Sequence, residues 1–362
     1  MKQKDDNVLP AEQGNSPITD RKQLIFTFLF IGIAVLSIAL VMLQSRDFSL
    51  PDFMRYVKSA SPVWLIVSLL SMLGFIFFEA FAILTLCRAF GAKKSLWNGY
   101  IYSASDIYFS AITPSATGGQ PASAYFMVKD GINGMMATSI LVANIGMYTL
   151  AIIFVGIVCL LFKFDVFLRY STVSQILIII GLFIQIALFI FFWLLLKKDH
   201  LLQKICNGGL NLLCKLRVIR NKEHVKAKLD AYMDKYRKYS HLITGQRKAL
   251  TICFIFNLLQ RLAQMSVTLF VFMATTGKGI SAAIDLLFMQ GYVTLGANCI
   301  PIPGAMGISD YLMLDGFGSI MEESQAVNLE LLSRTFSFYS CVIICGVSVL
   351  IQYCIIKRRG KN

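Results

Sequence analysis

Two stretches rich in glycine and proline interrupt otherwise apolar sequence in this chain. The first is Thr113-Pro114-Ser115-Ala116-Thr117-Gly118-Gly119-Gln120-Pro121, and the second is Ile300-Pro301-Ile302-Pro303-Gly304-Ala305-Met306-Gly307. Backbone that leaves the helix at membrane depth is tolerated only where it lines a cavity or is buried in protein. Two such breaks at corresponding places in two halves of a chain point to a transport site.

The sequence around the breaks is membrane sequence. The chain is 56% hydrophobic and 15% charged, and a spanning helix needs about 20 apolar residues. Runs of that length lie at 24–43, 62–86, 137–161, 176–196, 249–273 and 335–356. Shorter apolar stretches flank each break, at 95–112 with 122–128 and at 281–299 with 308–320. These lengths predict an all-α polytopic membrane protein with six full transmembrane helices plus two broken or re-entrant helix pairs. Residues 1–20 are polar and mixed in charge and read as a disordered tail. The run at 24–43 is followed by Gln44-Ser45-Arg46 and lacks a small-residue cleavage site, so it reads as a span and not a signal peptide.

Placement of charge predicts orientation. Segment 197–248 carries 14 Lys and Arg, and the C-terminus adds Lys357, Arg358, Arg359 and Lys361. Basic loops stay cytoplasmic, which places 197–248 and both termini inside, in the cytoplasmic membrane. The count closes with six spans, and also if each broken pair crosses fully. Loop 44–61, expected outside, carries Arg46, Arg55 and Lys58 against the rule. With six spans, 21–161 and 162–356 become two inverted membrane repeats, followed by a short tail at 357–362. The breaks are then in register, with Gly119 and Gly304 185 residues apart. Within the basic segment, Leu201, Leu202, Ile205, Leu212, Leu213 and Leu216 share one helical face. That pattern fits an amphipathic helix on the cytoplasmic leaflet, or a solvated connector whose charge only sets topology.

The candidate binding groups fall in two classes. Gly118 and Gly119 let backbone approach a ligand or another helix, and Thr117 and Gln120 add neutral hydrogen-bonding groups. Pro114 and Pro121 stop a continuous helix, so a half-helix starting near Pro121 aims its free N–H groups at the break. The second break repeats this with Pro303, Gly304 and Gly307 before Asp310. The other class is charge inside the spans: Glu79, Arg261 and Arg334, with Asp106 and Asp285 in the half-helical stretches. Such groups face a cavity or a partner. Glu79 and Arg261 form a plausible cross-repeat pair, while Arg88 and Arg334 near helix ends have the reach to snorkel. Asn144, Asn257, Gln260, Gln264 and Asn298 read as interhelical hydrogen-bond glue.

No metal or cofactor is expected. The nine cysteines form no CxxC pair and only three histidines are present, so buried small hydrophobes are the better reading. No Walker loop, dinucleotide fingerprint, HExxH or GxSxG occurs. The basic charge is accounted for by topology, so no nucleic-acid partner is expected.

The two breaks, Glu79 and Arg88, Arg261, and Arg334 together resemble the lysylphosphatidylglycerol synthase transmembrane-region family. This is the membrane part of the multiple peptide resistance factor and its stand-alone relatives. The resemblance covers about 20–356, and Pro114…Gly118-Gly119 and Pro303-Gly304…Gly307 match the family's two glycine-rich motifs in kind and order. The second motif departs by having Gly304-Ala305 in place of a double glycine. The resemblance implies lipid flipping, with membrane phospholipids, anionic or aminoacylated, as substrates. In the full-length factor a soluble domain transfers lysine from lysyl-tRNA to phosphatidylglycerol. The chain stops at Asn362, so that activity is not expected of it.

Two functions follow as expectations. One is a flippase or scramblase in which Glu79 meets a cationic headgroup and Arg261 and Arg334 meet phosphate. The other is the membrane subunit of a lysyltransferase or polyprenyl-lipid-linked transferase, with Asp106 or Asp310 as base and a separate synthase or soluble partner. A homodimer is compatible with either.

Overall fold

The computed structural model describes residues 50–113, 116–197, 203–204, 207–208, 222–297 and 307–359. The expected tail at 1–20, the expected span at 24–43, Pro114 and Ser115 of the first break, 300–306 of the second with Pro303 and Gly304, and Asn298 lie outside these residues. So does the leucine stripe of 201–216.

Among the described residues every regular element is helical. A short helix α1 (Leu50–Ser59) leads into α2 (Pro62–Ala89), whose first residue is proline, already fixed at the helical φ. Helices α3 (Leu96–Ile112) and α4 (Gly119–Lys129) flank the first break. Then come α5 (Gly134–Phe162), α6 (Phe164–Leu168) and α7 (Thr172–Lys197). The second half holds α8 (Lys222–Gly245), α9 (Arg247–Thr276), α10 (Ile280–Ala297) and α11 (Ile308–Gly318). It closes with α12 (Glu323–Arg334), a π-turn at Thr335–Tyr339 and α13 (Ser340–Arg359).

Among the described residues five helical stretches are long and apolar enough to cross a membrane: α2, α5, α7, α9 and the continuous run Glu323–Arg358. Four contain the expected spans at 62–86, 137–161, 176–196 and 249–273. The fifth contains the expected span at 335–356, and its helix starts earlier, at Glu323. Hydropathy misses its first turns because they are polar. They are helical because protein packs around them, with Leu329, Glu330, Leu332 and Arg334 all buried.

The members of the broken pairs are short, at 17 and 11 residues for α3 and α4 and 18 and 11 for α10 and α11. At 1.5 Å per residue the longer members reach about 25–27 Å, less than the ~30 Å hydrocarbon core.

Helices α2 and α9 cross antiparallel. The Ser61 N–H donates to Ala274 O (2.7 Å), Ser68 Oγ to Val267 O (3.4 Å) and Ser71 Oγ to Ala263 O (2.8 Å). Small side chains permit this closeness, and a Cβ on Gly74 would lie 3.7 Å from Ala263 Cβ. Helix α7 is peripheral, with only 17% of its apolar window buried and Ile176, Ile180 and Phe183 exposed. Helix α8 buries Met233, Tyr236, Ser240 and Ile243 along one face, and the Tyr236 hydroxyl donates to Leu195 O (3.3 Å). This part of the basic segment is therefore a packed helix and not a solvated connector.

Candidate functional site

A cavity of about 640 Å³ lies among these helices, lined from both broken pairs. Asp106, Ser110, Ala116 and Gln120 line it from the first pair, and Gln290, Thr294, Ser309 and Met313 from the second. Glu79, Arg261 and Arg334 line it as well. A lining this polar, held inside apolar helices, is costly unless it meets a ligand or internal partners.

At the first pair the chemistry is acidic. Glu79 Oε2 accepts from Gln260 Nε2 (3.0 Å) and Ser103 Oγ (3.2 Å). Asp106 accepts from Gln120 Nε2 at Oδ2 (2.7 Å) and from Ser110 Oγ at Oδ1 (3.2 Å). The two carboxyl groups lie next to each other on the cavity wall. Among the described residues no Lys, Arg or His forms an ion pair with either.

Gly119 explains how α4 comes so close. A Cβ there would overlap Asp106 Oδ1 and Ser110 Oγ, and would sit 2.6 Å from the Asp106 carbonyl oxygen. Only glycine lets the start of α4 close onto the carboxylate. Gly118 is the N-cap, and its N–H donates to Thr113 Oγ1 (2.9 Å).

The expected Glu79–Arg261 ion pair does not form. Successive helix residues point about 100° apart, and it is Gln260 that faces Glu79 across the helix crossing. Arg261 turns aside, 4.5 Å over the Tyr148 ring and 5.1 Å over the Phe75 ring. It donates from Nη1 to Gln264 Oε1 (2.7 Å), and its buried Nε has no partner.

At the second pair the acids are matched by a base. Arg334 Nε lies 2.7 Å from Asp310 Oδ1 and 4.0 Å from Glu330 Oε1, and the guanidinium sits 4.8 Å over Phe338. The Nε–Oδ1 contact is an ion pair by distance but lies off hydrogen-bond geometry, and Nη2 has no partner. Arg334 does not snorkel from the mouth of the span. Its side chain is 9% exposed, and the π-turn that follows interrupts the regular helix ladder beside it. Asp310 Oδ2 accepts from the Gly307 N–H (2.9 Å), capping α11, and Gly307 holds φ +87°, a conformation suited to glycine.

The structure thus gathers Glu79, Gln120, Arg261 and Arg334 on one cavity, with Gly119 and Asp310 directly behind it. It does not gather Arg88, which is exposed in the last turn of α2, or Thr117, which is exposed within the break. Asp285 is also elsewhere, paired with Lys163 (2.7 Å) and Arg169 (3.0 Å). Asn257 donates to Asn144 Oδ1 (3.1 Å), as interhelical glue does. Gln260 is glue of another kind, because it joins helices through a cavity carboxylate. Glu330 was missed by sequence reasoning, although its i,i+4 spacing from Arg334 was a usable signal. Among the described residues no group of three or more His, Cys, Asp or Glu gathers as a metal site.

Residues 29–345 match the family described as the lysylphosphatidylglycerol synthase TM region. No match exists among the curated proteins.

Proposed function

Because this chain belongs to the lysylphosphatidylglycerol synthase TM region family, we propose that it is a flippase or scramblase for an aminoacylated or similarly modified phospholipid. The observation that carries this reading is the two-signed set of unsatisfied atoms on the cavity wall. Arg261 Nε, Arg334 Nη2 and Gln290 Nε2 are buried donors without partners, and Gln120 Oε1 and Gln260 Oε1 are buried acceptors without partners. A headgroup with phosphate and ammonium answers both. Phosphate takes the guanidinium donors, and ammonium takes Glu79 and Asp106. The apolar tails remain in lipid beside helices such as α7.

The two halves act as inverted repeats, each inserting one re-entrant broken pair. The antiparallel crossing of α2 with α9 supports this, as does the matching order of long helix and broken pair. Rocking of the repeats about that crossing exposes the cavity alternately to each face. Both termini and the 197–248 segment are cytoplasmic, on the charge pattern. A cysteine replacing Lys278 then labels from outside intact cells and one replacing Lys226 does not, and the reverse pattern overturns the orientation.

Proteoliposomes holding fluorescent aminoacyl-phosphatidylglycerol test the function. Transbilayer movement well above the protein-free rate is expected, and protein-free rates refute it. The family description also favours a second reading, a membrane subunit that receives lipid from a separate synthase. Co-purification of a soluble transferase from native membranes, with no lipid movement by the chain alone, decides for that reading.

A further inference from the structure

We propose that Glu79 and Asp106, with the amide oxygens of Gln120 and Gln260, form a monovalent-cation site whose occupant exchanges for headgroup ammonium. This inference rests on the flippase reading of the same cavity.

The first observation is an acidic pair with no ion-paired base among the described residues. Two carboxyls meet inside membrane helices, served by amide and hydroxyl donors alone. The charged and titratable groups facing them come from three other helices. Arg261 of α9 is turned onto Tyr148 and Phe75, Tyr148 of α5 offers a phenol, and Cys345 of α13 offers a thiol. Arg334, on the same cavity, is held by Asp310. None of these closes the pair, and charge at this depth calls for a partner.

The second observation is a pair of unpartnered amide oxygens beside the acids. Gln260 is 1% exposed and donates from Nε2 to Glu79, yet its Oε1 has no partner. Gln120 repeats the pattern on Asp106, with Oε1 likewise unpartnered. Two carboxyls and two orphaned amide oxygens make an oxygen-only donor set. Broken transporter helices hold sodium ions and protons with the oxygens of unwound backbone, and side-chain carboxyl and amide oxygens offer the same donor atom. Those two ions share the relevant chemistry, a single positive charge taken by oxygen.

Exchange follows from charge conservation at a buried site. Ammonium arriving at the carboxyls brings one positive charge, and the departing cation removes one. The net charge at the desolvated pair is therefore the same before and after exchange, which avoids adding the cost of a further bare buried charge. A cation gradient across the membrane then biases the lipid in the opposite direction.

The test uses the full chain in proteoliposomes with fluorescent aminoacyl-phosphatidylglycerol and three conditions. These are no gradient, a ten-fold sodium gradient at equal pH, and a one-unit pH gradient at equal sodium. One-for-one exchange makes lipid asymmetry approach about ten-fold under one gradient, with counter-movement of ²²Na⁺ or of protons read by an entrapped dye. Response to sodium alone assigns sodium, and response to pH alone assigns the proton. Lipid that equilibrates equally in all three conditions overturns the cation site and leaves the flippase reading intact. Absence of lipid movement in every condition overturns both. Glu79→Gln and Asp106→Asn should each abolish the coupled cation flux, and retained flux overturns the assignment. Where a variant fails to fold, the wild-type gradient response decides.

Discussion

Acids stand beside each of the two broken pairs, around one cavity, and they are neutralised differently. At the second pair, Asp310 and Glu330 share Arg334, with the closer contact at 2.7 Å. At the first, Glu79 and Asp106 meet with amides and hydroxyls around them and no ion-paired base among the described residues. The difference separates a built-in charge balance from one left for a ligand to complete. A buried pair that loses one member leaves an uncompensated charge. A carboxyl held by neutral donors can become an amide without leaving one.

The comparison breaks most visibly at Arg334. Arg334→Gln leaves Asp310 and Glu330 without their base, and truncating a buried pair costs about 3–5 kcal/mol. Thermal unfolding in detergent should show a large fall in melting temperature with loss of transport. A variant as stable as wild type would mean that the second pair is not internally balanced.

The next largest effect is expected at Gly119. Even Ala there must displace the Asp106 carboxylate and carbonyl, and overpacking of this kind costs about 1–3 kcal/mol. Gly119→Ala should lower stability and abolish lipid movement in proteoliposomes. Full activity would show that α4 need not close onto Asp106.

Gly307 sharpens the contrast between the breaks. A Cβ there meets nothing within 4 Å, and the demand is the backbone φ of +87° alone. Gly307→Ala should therefore cost about 1–2 kcal/mol and leave substantial transport. Loss equal to that of Gly119→Ala would place the two glycines in one steric role.

The breaks were legible because proline and glycine punctuate apolar sequence whatever their surroundings. Four spans were legible from hydropathy, because lipid contact demands apolar side chains along their length. The start of the last long helix at Glu323 was not, since Glu323–Arg334 is polar and is packed against protein. Charge complementarity pointed to Glu79 and Arg261, and both do line the cavity. Which neighbour on α9 faces Glu79 depends on helix rotation at the crossing, and that rotation chose Gln260. Asp106 was visible as a charge in a half-helix, but its contact with Glu79 joins helices whose relative placement no local pattern encodes.

The smallest stability effect is expected where the functional effect is complete. Glu79→Gln keeps a side chain of the same shape and an oxygen to accept from Gln260 and Ser103. It removes no member of an ion pair, so its cost should stay near that of one neutral hydrogen bond, about 1 kcal/mol. Melting temperature in detergent should change little. Movement of an amine-bearing phospholipid should fall to the protein-free rate, because the acceptor for ammonium is weakened while the guanidinium donors remain. Phosphatidylglycerol without the amine should bind the variant at least as well as the wild type, read as co-purifying lipid by mass spectrometry. A fall in melting temperature matching that of Arg334→Gln would show instead that Glu79 is structurally paired, and the two broken pairs would then be alike.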